Sequence, residues 1–172
     1  LLKRPRGTAD MDLYRKFITE NRETLIDIIL HFQGEPLMYK QLGEMIAFAR
    51  QNRIYSMFST IGQLLAQNID IIRNARPDRI IVSLDGLSDE TYTKYRVGWK
   101  VQNVLNGLEK LSQLPANERP FIELQFLVFS HNEHEIPELQ KLKKKYHIDK
   151  ITLKSAQIYE NSQVDFLPEN KN

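Results

Sequence analysis

Two hydrophobic periods alternate along this chain. In residues 10–23 the apolar Met11, Tyr14, Phe17 and Ile18 recur three and four apart, which predicts an opening helix. Residues 25–32 switch to a short β-rich run, and residues 38–52 return to a helix with Leu42, Ile46 and Ala49 on one face. The exchange then repeats. Strand 54–60 is followed by helix 62–74, and strand 79–85 by a longer helical region between 88 and 113 that Gly98 interrupts. Strand 121–129 leads to helix 133–146, with Asn132 read as its N-cap, and strand 150–158 closes the series before a polar tail at 159–172. Pro77, Pro115 and Pro120 mark the breaks, and Pro137 is tolerated only near the start of its helix. Such alternation predicts right-handed βαβ units on a parallel sheet, with too few strands to close an eight-stranded barrel.

The alternation within each strand refines this α/β class. A parallel sheet covered by helices on both faces reads as continuous apolar runs. Here Ile122, Leu124, Phe126 and Val128 alternate with Glu123, Gln125, Leu127 and Phe129; Ile26, Ile28, Leu30 and Phe32 oppose Asp27, His31 and Gln33; Ile151 and Leu153 oppose Thr152 and Lys154. One face is dry and the other partly polar. The expectation is a curved parallel sheet with its helices on the outer face, a partial barrel. Ile122, Leu124, Phe126, Ile26 and Leu153 should lie under the helices. Glu123, Gln125, Asp27, Gln33 and Lys154 should face a concave, polar lumen. His31 is a candidate for contact in that lumen or a hydrogen-bonded structural residue.

Composition narrows the function classes. The chain has 172 residues, 41% of them hydrophobic, enough for one domain with its own core. Its 24 basic and 22 acidic residues leave a net charge of only +2, too little to coat a nucleic-acid backbone. No apolar run approaches the roughly 20 residues of a membrane span, and Lys3, Arg4 and Arg6 follow Leu1 and Leu2 without a signal-like core. A cytoplasmic protein with neither nucleic-acid nor membrane partners is expected. There is no cysteine, so disulfides and thiolate metal sites are excluded within this chain.

Ligands of open parallel sheets and barrels bind at the carboxyl ends of the strands. There the chain places Gln33, Gly34, Glu35 and Pro36; Ser59, Thr60 and Gly62; Ser83, Asp85 and Gly86; and Leu127 to Ser130. Small, hydroxyl and acidic groups on one rim suit a polar ligand. His131 and His134 stand three apart at a helix start, without zinc-site spacing, and Lys141 to Lys145 read as a solvated helix face. Tyr92 and Tyr95 read as packing residues.

In order, these segments resemble the core of the radical S-adenosylmethionine (SAM) enzymes. FQGEPLM resembles their GGEP motif and FSTIGQLL their TNG segment. The run from IIVSLDG through YRVGW to NGLEKL is similar to that of the branch with a C-terminal auxiliary-cluster (SPASM) domain, as are FLVFSHNEHEIPEL and ITLKSAQI. KRPRGTADMDL resembles the stretch just after the CxxxCxxC loop. The resemblance implies a 4Fe–4S cluster held by three cysteines, reductive cleavage of SAM to a 5′-deoxyadenosyl radical, an external electron donor and, for this branch, a peptide or protein substrate. It assigns SAM's amino group to Gly34, Glu35 and Pro36, with Gln33 in the same cofactor-binding turn, its carboxylate and ribose end to Ser83 and Arg96 with Asp85 assisting, its methionyl part or ribose to Ser59 and Thr60, and its adenine to Leu127.

Three positions depart from the pattern: Gln33 replaces a Gly, Ile61 an Asn and Trp99 a common Gly. The cluster cysteines are missing altogether. Residues 1–172 are therefore expected to be an inactive fragment of the radical SAM core, from its first helix through about its sixth strand, with 159–172 beginning a linker to a further domain. Two rivals stand beside this: a non-catalytic barrel that binds a nucleotide-like ligand or a partner protein, and a different parallel α/β enzyme, such as an aldolase or sugar-phosphate barrel, for which Lys154 is the sole Schiff-base candidate and a glycine-rich phosphate loop is lacking.

Overall fold

The computed structural model describes residues 7–32, 34–155 and 167–168. Its five strands are β1 (Asp27–Ile29), β2 (Tyr55–Thr60), β3 (Arg79–Ser83), β4 (Phe121–Val128) and β5 (Lys150–Ser155). All neighbours are parallel, in the order β1-β2-β3-β4-β5, so each strand lies beside its predecessor in the chain. The sheet is curved, as expected. The helices are α1 (Met11–Asn21), α2 (Leu42–Gln51), α3 (Ile69–Ala75), α4 (Asp89–Tyr95), α5 (Val101–Ser112) and α6 (Leu139–Lys145), with 3₁₀ turns at Pro36–Met38, Leu65–Gln67 and Glu133–Glu138.

Local chemistry explains the element ends. Asp10 caps α1, its carboxylate accepting from the backbone N–H of Asp12 and Leu13 at 2.9 and 3.0 Å. Ser88 and Thr91 form a reciprocal capping box on α4. Gly98, at φ +81°, separates α4 from α5, so the predicted interruption is real. Asn132 does not cap the turn after it, because its side chain is used elsewhere. The helix expected over 133–146 begins as a 3₁₀ turn containing Pro137 and turns α-helical only at Leu139. A proline removes one backbone donor, which the looser start accommodates.

The register puts one parity of every strand under the helices. Phe58, Ile80, Val82, Ile122, Leu124 and Phe126 are fully buried there against Leu42, Ile46, Ile72, Val104, Leu108 and Leu111. Burying one such side chain stabilises by about 1.5–3 kcal/mol. The other parity carries Ser59, Ser83, Gln125 and Leu127, half-buried to buried, on the concave side.

Four apolar assignments fail, three of them at the sheet edges and one, Phe17, on α1. Ile26 is 81% exposed and Leu153 is 48% exposed, so neither packs under a helix; Phe32 (77%) and Phe17 (45%) are exposed as well. Ile26, Phe32 and Leu153 belong to the two outermost strands or their flanks, where helical cover is only partial: Ile28 and Ile151 of the same strands still pack against the core. The strand expected over 25–32 keeps only three residues. Its last rung runs from the Leu30 N–H to the Met57 carbonyl at 2.8 Å, after which the chain leaves the sheet. Glu123 does face the concave side, but it is 4% exposed and paired with Arg79. It also accepts from the Thr152 hydroxyl at 2.6 Å and lies 3.9 Å from Lys150. This cluster closes the amino end of the lumen, where barrel residues serve stability rather than ligand contact.

Candidate functional site

The site builds from two strand ends. Past β1, Gly34 adopts φ +91°, a conformation that costs a side-chain-bearing residue energy, and turns the chain into the Pro36–Met38 3₁₀ turn. Pro36 at the start of that turn gives up no needed donor. Glu35 caps it and locks it to β2. One carboxylate oxygen accepts from the Thr60 hydroxyl at 2.7 Å and the Leu37 N–H at 3.1 Å; the other accepts from the Ile61 N–H at 2.9 Å. The Thr60 hydroxyl in turn accepts from the Gly62 N–H at 3.0 Å. Thr60 is buried on the helix side of β2 and serves Glu35, whereas Ser59 stands on the concave side. Gln33 lies outside the described residues.

The second group gathers at the ends of β3 and β4. Asp85 is 1% exposed. One of its oxygens accepts from Arg96 Nε at 2.6 Å and the other from the Leu127 N–H at 3.2 Å. Burial raises the Asp85 pKa, and the Arg96 charge and hydrogen bond oppose that rise. The Arg96 guanidinium lies over the Tyr95 ring, 5.0 Å from its centroid, and its two terminal NH₂ groups make no hydrogen bond among the described residues. Ser83, buried at the end of β3 on the concave side, likewise has a hydroxyl without a partner among those residues. Leu127 is half-buried on the same side of β4.

Three supports went unread in the sequence. Asn132, fully buried, donates to the carbonyls of Asp85 and Leu127, both at 2.9 Å, and accepts from the Phe129 N–H at 2.8 Å. Glu135 accepts from the Leu87 N–H and the Thr91 hydroxyl, both at 2.8 Å, and so clamps the loop after β3. Gln63 donates to the Tyr92 hydroxyl and the Lys100 carbonyl, both at 2.9 Å, holding the segment after Arg96. The only local signal was a polar run after an apolar strand, which a capped helix start explains equally well. His131 stacks on Phe129, with ring centroids 5.1 Å apart, and no metal-holding group of His, Asp or Glu occurs among the described residues. Beside the Gly34 turn, His31, Glu35 and Tyr39 line a groove of about 680 Å³.

A braced turn and a buried carboxylate aiming an arginine stand together on the carboxyl rim of an open parallel α/β sheet. The chain belongs to the radical SAM superfamily, whose family model matches residues 5–143. It is 29% identical over 109 residues to the probable GTP 3′,8-cyclase of Methanocaldococcus jannaschii, covering 63% of this chain and 36% of that protein. It is 29% identical over 153 residues to the Fe-coproporphyrin III synthase of Methanosarcina barkeri, covering 83% and 37%. In structure it matches Streptococcus suis SuiB bound to S-adenosylmethionine, with a TM-score of 0.75 at 12% identity over 98% of this chain and 38% of that one. SuiB bound to its precursor peptide SuiA also matches, at a TM-score of 0.72, 12% identity, and 99% and 37% coverage. The chain thus spans a little over a third of the curated relatives it matches.

The family works with SAM and a 4Fe–4S cluster. The residues present do not fit the cluster: the chain has no cysteine, and its described acidic and histidine residues form no metal-holding group.

Proposed function

We propose that this chain is the SAM-holding part of a radical SAM oxidoreductase. The observation that carries the reading is the Asp85–Arg96 pair. Asp85 engages only Nε, which fixes the guanidinium plane and leaves the terminal fork, unpartnered among the described residues, to meet a carboxylate. Ser83, its hydroxyl unpartnered among the described residues, adds a donor on the same rim. The turn braced by Glu35 brings negative charge suited to the ligand's ammonium group. Ser59 supplies a hydroxyl for the methionyl or ribose part, and Leu127 an apolar surface for the adenine. Thr60 acts through Glu35 rather than on the ligand.

Reductive cleavage of SAM to a 5′-deoxyadenosyl radical would be the reaction of the whole protein, with the cluster ligands and a further C-terminal domain contributed from outside these 172 residues. This chain alone would bind SAM without cleaving it. The likeness of the segment from Ser83 through Arg96 to the auxiliary-cluster branch supports a peptide or protein substrate. The cyclase names among the relatives make GTP the comparison substrate.

The test is calorimetric titration of SAM into the wild-type chain and into the Arg96→Lys and Ser83→Ala variants. Lysine keeps a charge beside Asp85 but loses the fork. Loss of hydrogen bonds to a charged group, at about 1.5–3 kcal/mol, should weaken binding roughly ten-fold or more in Arg96→Lys. Binding unchanged in both variants, or absent in the wild type, would overturn the assignment.

A further inference from the structure

β1 ends at Ile29, opposite Met57, while β2 runs on to Thr60. Its last backbone rung is Leu30 N–H to Met57 O. Continuing the register would set residue 31 opposite Ser59. There the His31 imidazole takes the place of a backbone acceptor: the Ser59 N–H donates to Nδ1 at 3.0 Å. A backbone N–H can only donate, so Nδ1 must present its lone pair, and the ring proton sits on Nε2. Adding a second proton would put it on Nδ1 against the Ser59 N–H, and burial also lowers the His31 pKa. The ring is therefore neutral and held by one nitrogen.

Nε2 makes no hydrogen bond among the described residues. His31 lines the groove of about 680 Å³ together with Gly34 and Glu35, so the free donor belongs to the same opening as the braced turn. Completing the sheet end needs only Nδ1. A structural role therefore leaves the Nε2–H unexplained.

We propose that His31 is a positioning residue for the ligand, donating its Nε2–H to an acceptor oxygen of the methionyl or ribose part of SAM seated between Ser59 and the Gly34–Pro36 turn. This rests on the SAM-binding reading. It adds a contact at the carboxyl end of β1, beside the turn that Glu35 braces.

The two nitrogens can be separated by substitution. In His31→Asn the Oδ1 can still accept from the Ser59 N–H, but nothing reaches the place of Nε2. In His31→Phe both functions go. The experiment combines ¹⁵N spectra of histidine-labelled chain, thermal melts, and calorimetric titration with SAM as the probe. The wild type should show the Nε2–H tautomer, with the His31 Nε2 resonance moving as SAM is added. His31→Asn should melt with the wild type and bind SAM about 3- to 10-fold more weakly, the worth of one neutral hydrogen bond. His31→Phe should bind as weakly and melt lower. An Nδ1–H tautomer, or wild-type affinity in His31→Asn, overturns the donor role while leaving SAM binding standing. A wild type that binds no SAM overturns the underlying reading and this one with it.

Discussion

Replacing Glu35 by glutamine changes one atom's chemistry and almost no volume, yet it should loosen the turn that the site depends on. The carboxylate receives three donors: the Thr60 hydroxyl and Leu37 N–H on one oxygen, the Ile61 N–H on the other. A glutamine amide has one oxygen and one NH₂ group. With its oxygen toward Thr60 and Leu37, the NH₂ meets the Ile61 N–H, donor against donor. Flipped, the amide serves Ile61 and can donate to the Thr60 hydroxyl, but it then meets the Leu37 N–H. Either way one backbone donor loses its partner, at about 1–3 kcal/mol, and the remaining bonds lose their charge assistance. Because Glu35 is half-buried, water offsets part of this, and a net loss of about 2 kcal/mol is expected. For a chain of this length that is a fall in Tm of about 4–8 °C. Melts by circular dichroism measure the loss, and hydrogen exchange at the Leu37 and Ile61 amides locates it. Glu35→Gln melting with the wild type, with both amides as protected as before, would refute the bracing role of the carboxylate.

Three further outcomes are expected. Gly86→Ala should destabilise by about 3 kcal/mol and weaken SAM binding, since a Cβ there would stand 2.5 Å from the Tyr92 backbone nitrogen and 2.6 Å from the Thr91 hydroxyl; a wild-type denaturation midpoint would contradict this close approach. The chain should purify colourless, and iron and sulfide analysis after anaerobic reconstitution should find no stoichiometric cluster, because no thiolate is available; a brown product would mean a ligation we have not foreseen. His131 is held below the usual histidine pKa by burial first and by the Lys94 charge second. The unfolded chain therefore binds the extra proton more readily, and stability should fall as pH drops from about 7 toward about 5 and level off below the folded pKa. Denaturant titrations across that range should show a shallower fall in His131→Asn, and an unchanged slope would count against the shift.

Much of this architecture is written in local pattern. Strand parity is a period of two residues, so Ile122, Leu124 and Phe126 had to share a face whatever they packed against, and their complete burial accords with it. Alternation with helices carried the parallel order of all five strands. The Gly34-Glu35-Pro36 turn and the Gly98 break were legible because glycine and proline restrict or free the backbone at their own positions. Other features depend on which distant groups arrive at the same place. Asn132 read as a helix cap, but the β3–β4 register delivers the carbonyls of Asp85 and Leu127 to its amide, and those bonds displace the cap. Arg96 read as a ligand contact, and only the docking of α4 showed that Asp85 aims it. Ile26 and Leu153 shared the apolar parity yet lie exposed, because the reach of the helices across the sheet, and not the strand's own period, decides whether an apolar side chain is covered. Periodicity sets the direction in which a side chain points; the tertiary structure sets what stands there to meet it.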